Sequence, residues 1–229
     1  MKKHWHKLDP TLLERMKSEV QSVFSNLHFY PAKDRVFIRG SFPVIHEGKI
    51  LDRYSIEIEL PRNYPESLPI VREVGGRIPQ TADRHINPTG EACLFLPDER
   101  WKVCHPGSSL LDFLNGPVRN FFVGQSLVEL GQPWPFGEWS HASVGIIEYY
   151  AELLGTKDLA TILRYLDYLS KPKIKGHWKC PCGSGRRLRN CHFEELKDLR
   201  TKVRQDDAQR SRQRLISLTK TLETVGGGE

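Results

Sequence analysis

The sequence predicts an α+β fold, and three stretches carry that prediction. "RYSIEIEL" alternates Tyr54, Ile56, Ile58 and Leu60 with polar residues, the period of a half-buried strand. "LDPTLLERMKSEVQSVF" spaces Leu12, Leu13, Met16, Val20 and Phe24 by mostly three or four residues, the stripe of an amphipathic helix. "RVFIRGSFPVI", between them, is rich in β-branched and aromatic residues. A helix followed by an antiparallel meander is the expected start of the chain.

The elements can be justified in order. Asp9 is a capping residue and Pro10 fits the first helical position, so the helix is expected over roughly residues 10 to 27. "HEGK" reads as the turn joining the first two strands, and "LPIVREV" as a third, short strand. The prolines of "PRNYPESLP" end one strand and stiffen the crossing to the next. "SSLLDFLNGPVRNFFVGQSLVEL" is helical by pattern with a break around "NGP". "SHASVGIIEYYAELL" and "TKDLATILRYLDYL" give two more helices, whose Leu, Ile and Tyr spacing points to core packing rather than a cofactor box. "SKPKIKGHWK" reads as a linker. The last stretch, "FEELKDLRTKVRQDDAQRSRQRLISLTKTLE", reads as one long charged helix with little apolar face, suited to the surface or to a partner. "GGGE" reads as a flexible end.

A length of 229 residues allows one core and an appendage. No apolar run approaches the ~20 residues that span a bilayer. The basic start "MKKHWHKLDP" has no apolar signal core, so a cytoplasmic protein with no membrane partner is expected. In that compartment five cysteines are expected as thiols or metal ligands. The formal charge of +6 comes largely from the C-terminal third. A basic tail of this kind can hold nucleic acid or an acidic protein, or act as a solvated linker. The solvated reading is the expected one, and nucleic acid is not the expected partner.

"CPCGSGRRLRNCH" is the most specific stretch of the sequence. Cys180 and Cys182 precede a Gly-Ser-Gly turn, and Cys191 with His192 closes the set. Three thiolates and an imidazole satisfy tetrahedral Zn²⁺ and leave no open position, so a structural zinc site is expected. The pattern resembles the SEC-C motif, a small zinc-binding element at the end of the bacterial protein-export ATPase. That resemblance covers residues 178 to 194, implies protein contacts and favours a bacterial source.

"RHINPTGEACLFLPDERW" raises the question of a nucleophile, because Cys93 follows a Gly turn and Trp101 stands eight residues beyond it. Tyr64, Pro65 and Pro69 in "YPESLP", His85 and Asn87 in "HIN", Gly90, Cys93 and Leu94 in "GEACL", and Trp101 occur in an order that resembles the ubiquitin-conjugating enzyme family. The resemblance covers roughly residues 10 to 138. It departs from the family where Ile86 replaces the proline of a His-Pro-Asn tripeptide. Asn87 also lies two residues nearer the cysteine than is usual. Glu138 is the counterpart offered for the family's acidic residue. Such departures look like the bacterial branch, some of whose members sit in antiviral operons for cyclic-oligonucleotide signalling (CBASS).

The resemblance implies a conjugating-enzyme-like core over 1–138, a helical extension over 139–170, and a linker, SEC-C zinc module and C-terminal helix over 171–229. It implies that Cys93 takes a protein C-terminus as a thioester and passes it to a lysine amine. The acyl donor it implies is a cGAS-like nucleotidyltransferase, and the acceptor a lysine-bearing target protein. Asn87 is then either an oxyanion donor or a turn-former, and His85 either a base or, more in keeping with the family, a holder of the loop. Cys104 is expected to pack, and Trp101 to support the core or loop. Two other readings stay open on the residues: a zinc-stapled adaptor with an idle cysteine, and a papain-like hydrolase drawing on His105 or His141. No nucleotide-binding Gly-rich loop is present, so activation of the carboxylate is expected from elsewhere.

Overall fold

The computed structural model describes residues 4–46, 48–104, 107–136 and 143–226, with backbone alone at 46 and over 221–226. The described helices and strands are α1 (Trp5–Leu8), α2 (Pro10–Val23), β1 (Leu27–Pro31), β2 (Val36–His46), β3 (Lys49–Leu60) and β4 (Ile70–Glu73), then α3 (Arg100–Val103), α4 (Leu110–Phe113), α5 (Arg119–Glu129), α6 (Ser143–Leu154), α7 (Leu159–Leu169), α8 (Phe193–Lys202) and α9 (Gln205–Gly226). This is a mixed α+β chain. It divides into two compact units: Met1–Leu94 with Pro106–Gly137, and Phe95–His105 with Glu138–Glu229.

The first unit is built on an antiparallel sheet of order β1-β2-β3-β4. Alternation works as expected. Val36, Ile38, Phe42 and Val44 of β2 face the same core as Tyr54, Ile56 and Ile58 of β3, all at most 2% exposed. At Gly40 a Cβ would meet the carbonyl oxygen of Asn26 at 1.8 Å, and φ is +146°, so only glycine fits this rung. β1 is a strand that the sequence reading did not anticipate; it is five residues long and pairs with β2 from Leu27↔Gly40 to Pro31↔Val36. On α2, Asp9 accepts from the Leu12 N–H at 2.9 Å, and the helix stops at Val23 rather than near 27. Its Leu13, Met16 and Val20 are buried.

The expected break at "NGP" takes the form of a change of helix type rather than a loop. α4 runs through Leu114–Val118 into α5 as a π-helical turn with Pro117 inside it. A π turn absorbs the missing proline donor by widening the helix locally. α5 then buries Phe121, Phe122, Gln125 and Ser126. The Phe122 ring lies 4.8 Å from Tyr54, whose hydroxyl is 3.0 Å from the Ser126 hydroxyl.

The second unit has its own core. Ile146, Tyr149 and Tyr150 of α6 pack there with Ile162, Tyr165, Leu166 and Leu169 of α7, and with Leu188, Leu196 and Leu199. The single long C-terminal helix expected from the sequence is two helices, because Val203 turns extended and buries completely between α8 and α9. α9 is also no mere surface helix: Ala208, Ser211 and Leu215 are at most 3% exposed. Two of these three are small, so a count of large apolar residues overlooked the face. The stretch read as a linker is packed as well. Ile174 lies against the core and the Pro172 carbonyl accepts from Arg200 at 2.7 Å.

Candidate functional site

Cys93 stands at the end of a small hairpin in the first unit. Residues 87 to 91 reverse the chain: Gly90 N–H donates to the Asn87 carbonyl at 2.8 Å, and Asn87 N–H to the Glu91 carbonyl at 2.8 Å. Pro88 follows Asn87 at the tip, and Gly90 has φ +81°, the left-handed position that closes a three-residue hairpin loop. Ile86 pairs with Ala92 across it, and Cys93 N–H donates to the His85 carbonyl at 2.7 Å. His85 and Cys93 therefore face one another as a backbone rung. Cys93 is exposed and forms no disulfide. Asn87 is exposed as well, at the turn.

Three sets of contacts fix the hairpin within its unit. Ala92 N–H donates to the Val71 carbonyl at 2.8 Å, which attaches it to β4. Arg72 of β4 donates to the Glu91 carboxylate at 2.9 Å and also pairs with Glu59 at 3.4 Å. On the other arm, fully buried Gln125 of α5 donates to the Arg84 carbonyl at 2.7 Å and accepts from the Arg84 guanidinium at 2.8 Å. His85 itself has φ +50°, a conformation uncommon outside glycine, and its ring lies 4.2 Å from Trp134. Trp134 sits in turn over Gly124, where a Cβ would come within 2.5 Å of the indole. Gln125, Arg72 and Trp134 were not singled out from the sequence. A glutamine among buried phenylalanines on α5 was the one signal that something polar needed holding there.

Of the other expected site residues, Glu138, His105 and His141 lie outside the described residues. Trp101 and Cys104 belong to the second unit. The Trp101 indole N–H donates to the Tyr149 hydroxyl at 3.0 Å, a supporting role. Cys104 is partly buried, and desolvation pushes its thiol above the ordinary range.

The second unit brings Cys180, Cys182, Cys191 and His192 together, with their ligand atoms all within 4.8 Å of one another. Local backbone bonds explain why. Cys180 N–H donates to the Arg186 carbonyl at 2.8 Å and Leu188 N–H to the Trp178 carbonyl at 2.7 Å, so a short hairpin folds back through Gly183 (φ +85°) and Gly185 (φ +75°). A 3-10 turn at Leu188–Asn190 then delivers Cys191, and His192 caps α8. The Cys182 and Cys191 sulfurs are 3.7 Å apart, and His192 Nδ1 is 3.2 Å from the sulfurs of Cys180 and Cys191. A tetrahedral ion with Zn–S bonds of ~2.3 Å has S–S edges of about 3.8 Å, so the donor set fits such an ion. His192 Nε2 faces the Glu195 carboxylate at 3.6 Å, the outer partner that orients a ligating imidazole. Burial pushes the Cys180 thiol up to about 11. Burial would also raise Cys182, but hydrogen bonds from the Ser184 hydroxyl and N–H, with its neighbouring thiols, bring it down to about 6. The group can hold a metal ion, and none of its cysteines is in a disulfide.

No family model matches the chain, and no curated protein matches it. Among the described residues, no helix is long and apolar enough to cross a membrane.

Proposed function

We propose that the chain is a ubiquitin-conjugating-like acyltransferase of bacterial origin, with Cys93 as the carrier of a protein C-terminus. The observation that supports this reading is the exposed Cys93 thiol set on the backbone rung it shares with His85. The sulfur attacks the carbonyl of a donor whose carboxyl has been activated by another protein. The donor's leaving group departs and a thioester forms. A lysine amine then attacks that carbonyl, the thiolate leaves, and the amine proton passes to solvent or to a nearby base. Asn87 at the exposed turn is the side-chain candidate for the oxyanion, and His85 holds the loop. The donor class is a cGAS-like nucleotidyltransferase and the setting anti-phage defence, both on the strength of the sequence resemblance. The metal in this reading is zinc, held as a SEC-C-like module by Cys180, Cys182, Cys191 and His192. With four protein ligands it has no open position, so it supplies order rather than chemistry.

The test is intact-mass analysis of the full chain purified with its neighbouring gene products. An adduct that thiol reagent removes, absent in Cys93→Ala and resistant to thiol in Cys93→Ser, is the expected outcome. An adduct on another residue, or none with the partners and ATP present, leaves the zinc-stapled adaptor as the better reading.

A further inference from the structure

We propose that the basic face of the metal-binding hairpin binds nucleic acid through its sugar-phosphate backbone. Residues 171 to 192 contain no aspartate or glutamate. Lys173, Lys175, Lys179, Arg186, Arg187 and Arg189 within them are all exposed. Neighbouring cations of this unit are neutralised locally: Lys171 by Asp167 at 3.1 Å, Lys197 by Glu194 at 3.0 Å and Lys202 by Asp198 at 2.6 Å. The six form no ion pair among the described residues.

The backbone sets two of these charges side by side. Lys179 and Arg187 are Cα partners across an antiparallel bridge, flanked by the bonds from Cys180 to Arg186 and from Leu188 to Trp178. Directly opposed residues share a face, and like charges there repel. A metal ion held by the ligand group would tie Cys180 on one arm to Cys191 just past the other and so keep the two cations together. An arrangement that costs stability in the isolated chain is relieved by an external anion.

The surroundings favour a phosphate backbone over a protein. Protein interfaces centre on apolar and aromatic anchors and are depleted in lysine, whereas nucleic-acid interfaces are far more positive. None of the exposed large apolar side chains lies between 171 and 192. Guanidinium forks at 186, 187 and 189 suit phosphate oxygens, and the lysines add point charges. Contacts to phosphate oxygens carry no sequence information, so binding through them is expected without sequence preference.

Fluorescence anisotropy of a labelled 20-nucleotide single-stranded RNA and a duplex DNA, titrated with the full chain between 50 and 300 mM KCl, tests this. With about four phosphates neutralised, log K should fall against log salt with a slope of roughly −3 to −4. Lys179→Glu should weaken binding about tenfold and flatten the slope by about one. It should leave Tm unchanged or slightly higher, because it places opposite charges across the bridge. Lys33→Glu makes the same change in net charge on the first unit and should leave binding alone. No anisotropy change at 50 mM KCl overturns the proposal, as does equal loss in Lys33→Glu. Polyglutamate of matched charge displacing the RNA equally would also overturn it, in favour of an acidic protein partner.

Discussion

Replacing Gln125 by leucine isolates the forces that shape the Cys93 hairpin. Gln125 is fully buried on α5, and both ends of its amide are engaged by the one residue Arg84. Leucine fills nearly the same volume, so the packing change is small and the polar change dominates. One lost bond is from the amide to the neutral Arg84 carbonyl, worth about 1 kcal/mol, and the other is from a charged guanidinium, worth about 1.5–3 kcal/mol. Together they predict a loss of roughly 2.5–4 kcal/mol. For a chain of this size that lowers Tm by about 5–15 °C.

The hairpin then gives a local readout. Arg84 precedes His85, whose carbonyl holds the Cys93 N–H at 2.7 Å. Hydrogen exchange at Cys93 should therefore speed up in Gln125→Leu. The Cys180 N–H, bonded to Arg186 at 2.8 Å in the other unit, should keep its protection. A stability loss under about 1 kcal/mol, or unchanged exchange at Cys93, would refute the idea that Gln125 holds this rung.

Three further outcomes are expected. On the proposed zinc reading, the purified chain should carry stoichiometric zinc by elemental analysis, and chelation or Cys182→Ser should remove it and expose the amides of 176–192 to exchange while the sheet of the first unit stays protected. Asp98 is 2% exposed, accepts from Tyr150 and from Ser211 at 2.8 Å, and has its pKa raised by burial. Its protonated form is the better folded species, so its contribution is full below the unfolded carboxylate value and is lost as pH rises through the folded one. Asp98→Asn, whose amide oxygen can accept from Tyr150 while its NH2 donates to a rotated Ser211 hydroxyl, should flatten that fall in urea titrations across acidic pH; an unchanged pH profile would count against the assignment. Gly124→Ala should displace Trp134, with a shift in tryptophan emission and in the His85 ring resonances; identical spectra would show that the indole is not seated there.

The parts of this structure legible in the sequence were those governed by local period. β2, β3 and α2 announce themselves because one face of each is buried by a single continuous core. The metal group was legible because its four ligands lie within thirteen residues and one hairpin brings them together. What escaped was set by tertiary context. β1 is too short to show a period, and it exists because β2 offers it an edge. The buried face of α9 is made of Ala208, Ser211 and Leu215, and one large apolar residue among a small one and a polar one leaves no stripe for a pattern to catch. Gln125 and Arg84 meet across 41 residues, so no spacing rule links them. The sequence reading set His85 and Asn87 before a Gly-containing turn and Cys93 after it; the contacts that pin that turn come from β4 and α5, which no local pattern names.

The five thiols separate by environment, and that separation sets an order of reactivity. Cys180, Cys182 and Cys191 belong to the ligand group, where a bound ion would occupy their lone pairs. Cys104 is partly buried and its thiol is pushed up by desolvation, so little thiolate is present at neutral pH. Cys93 alone of the five is exposed. Limited alkylation with iodoacetamide at pH 7.5, followed by peptide mapping, should therefore mark Cys93 first and Cys104 slowly. The three ligand cysteines should follow only after chelator is added. Cys104 reacting ahead of Cys93 would mean that the hairpin shields its sulfur in solution, and the acyl-carrier reading would lose its nucleophile. Early labelling of Cys182, which its neighbours bring down to about 6, would instead show that no ion holds the group.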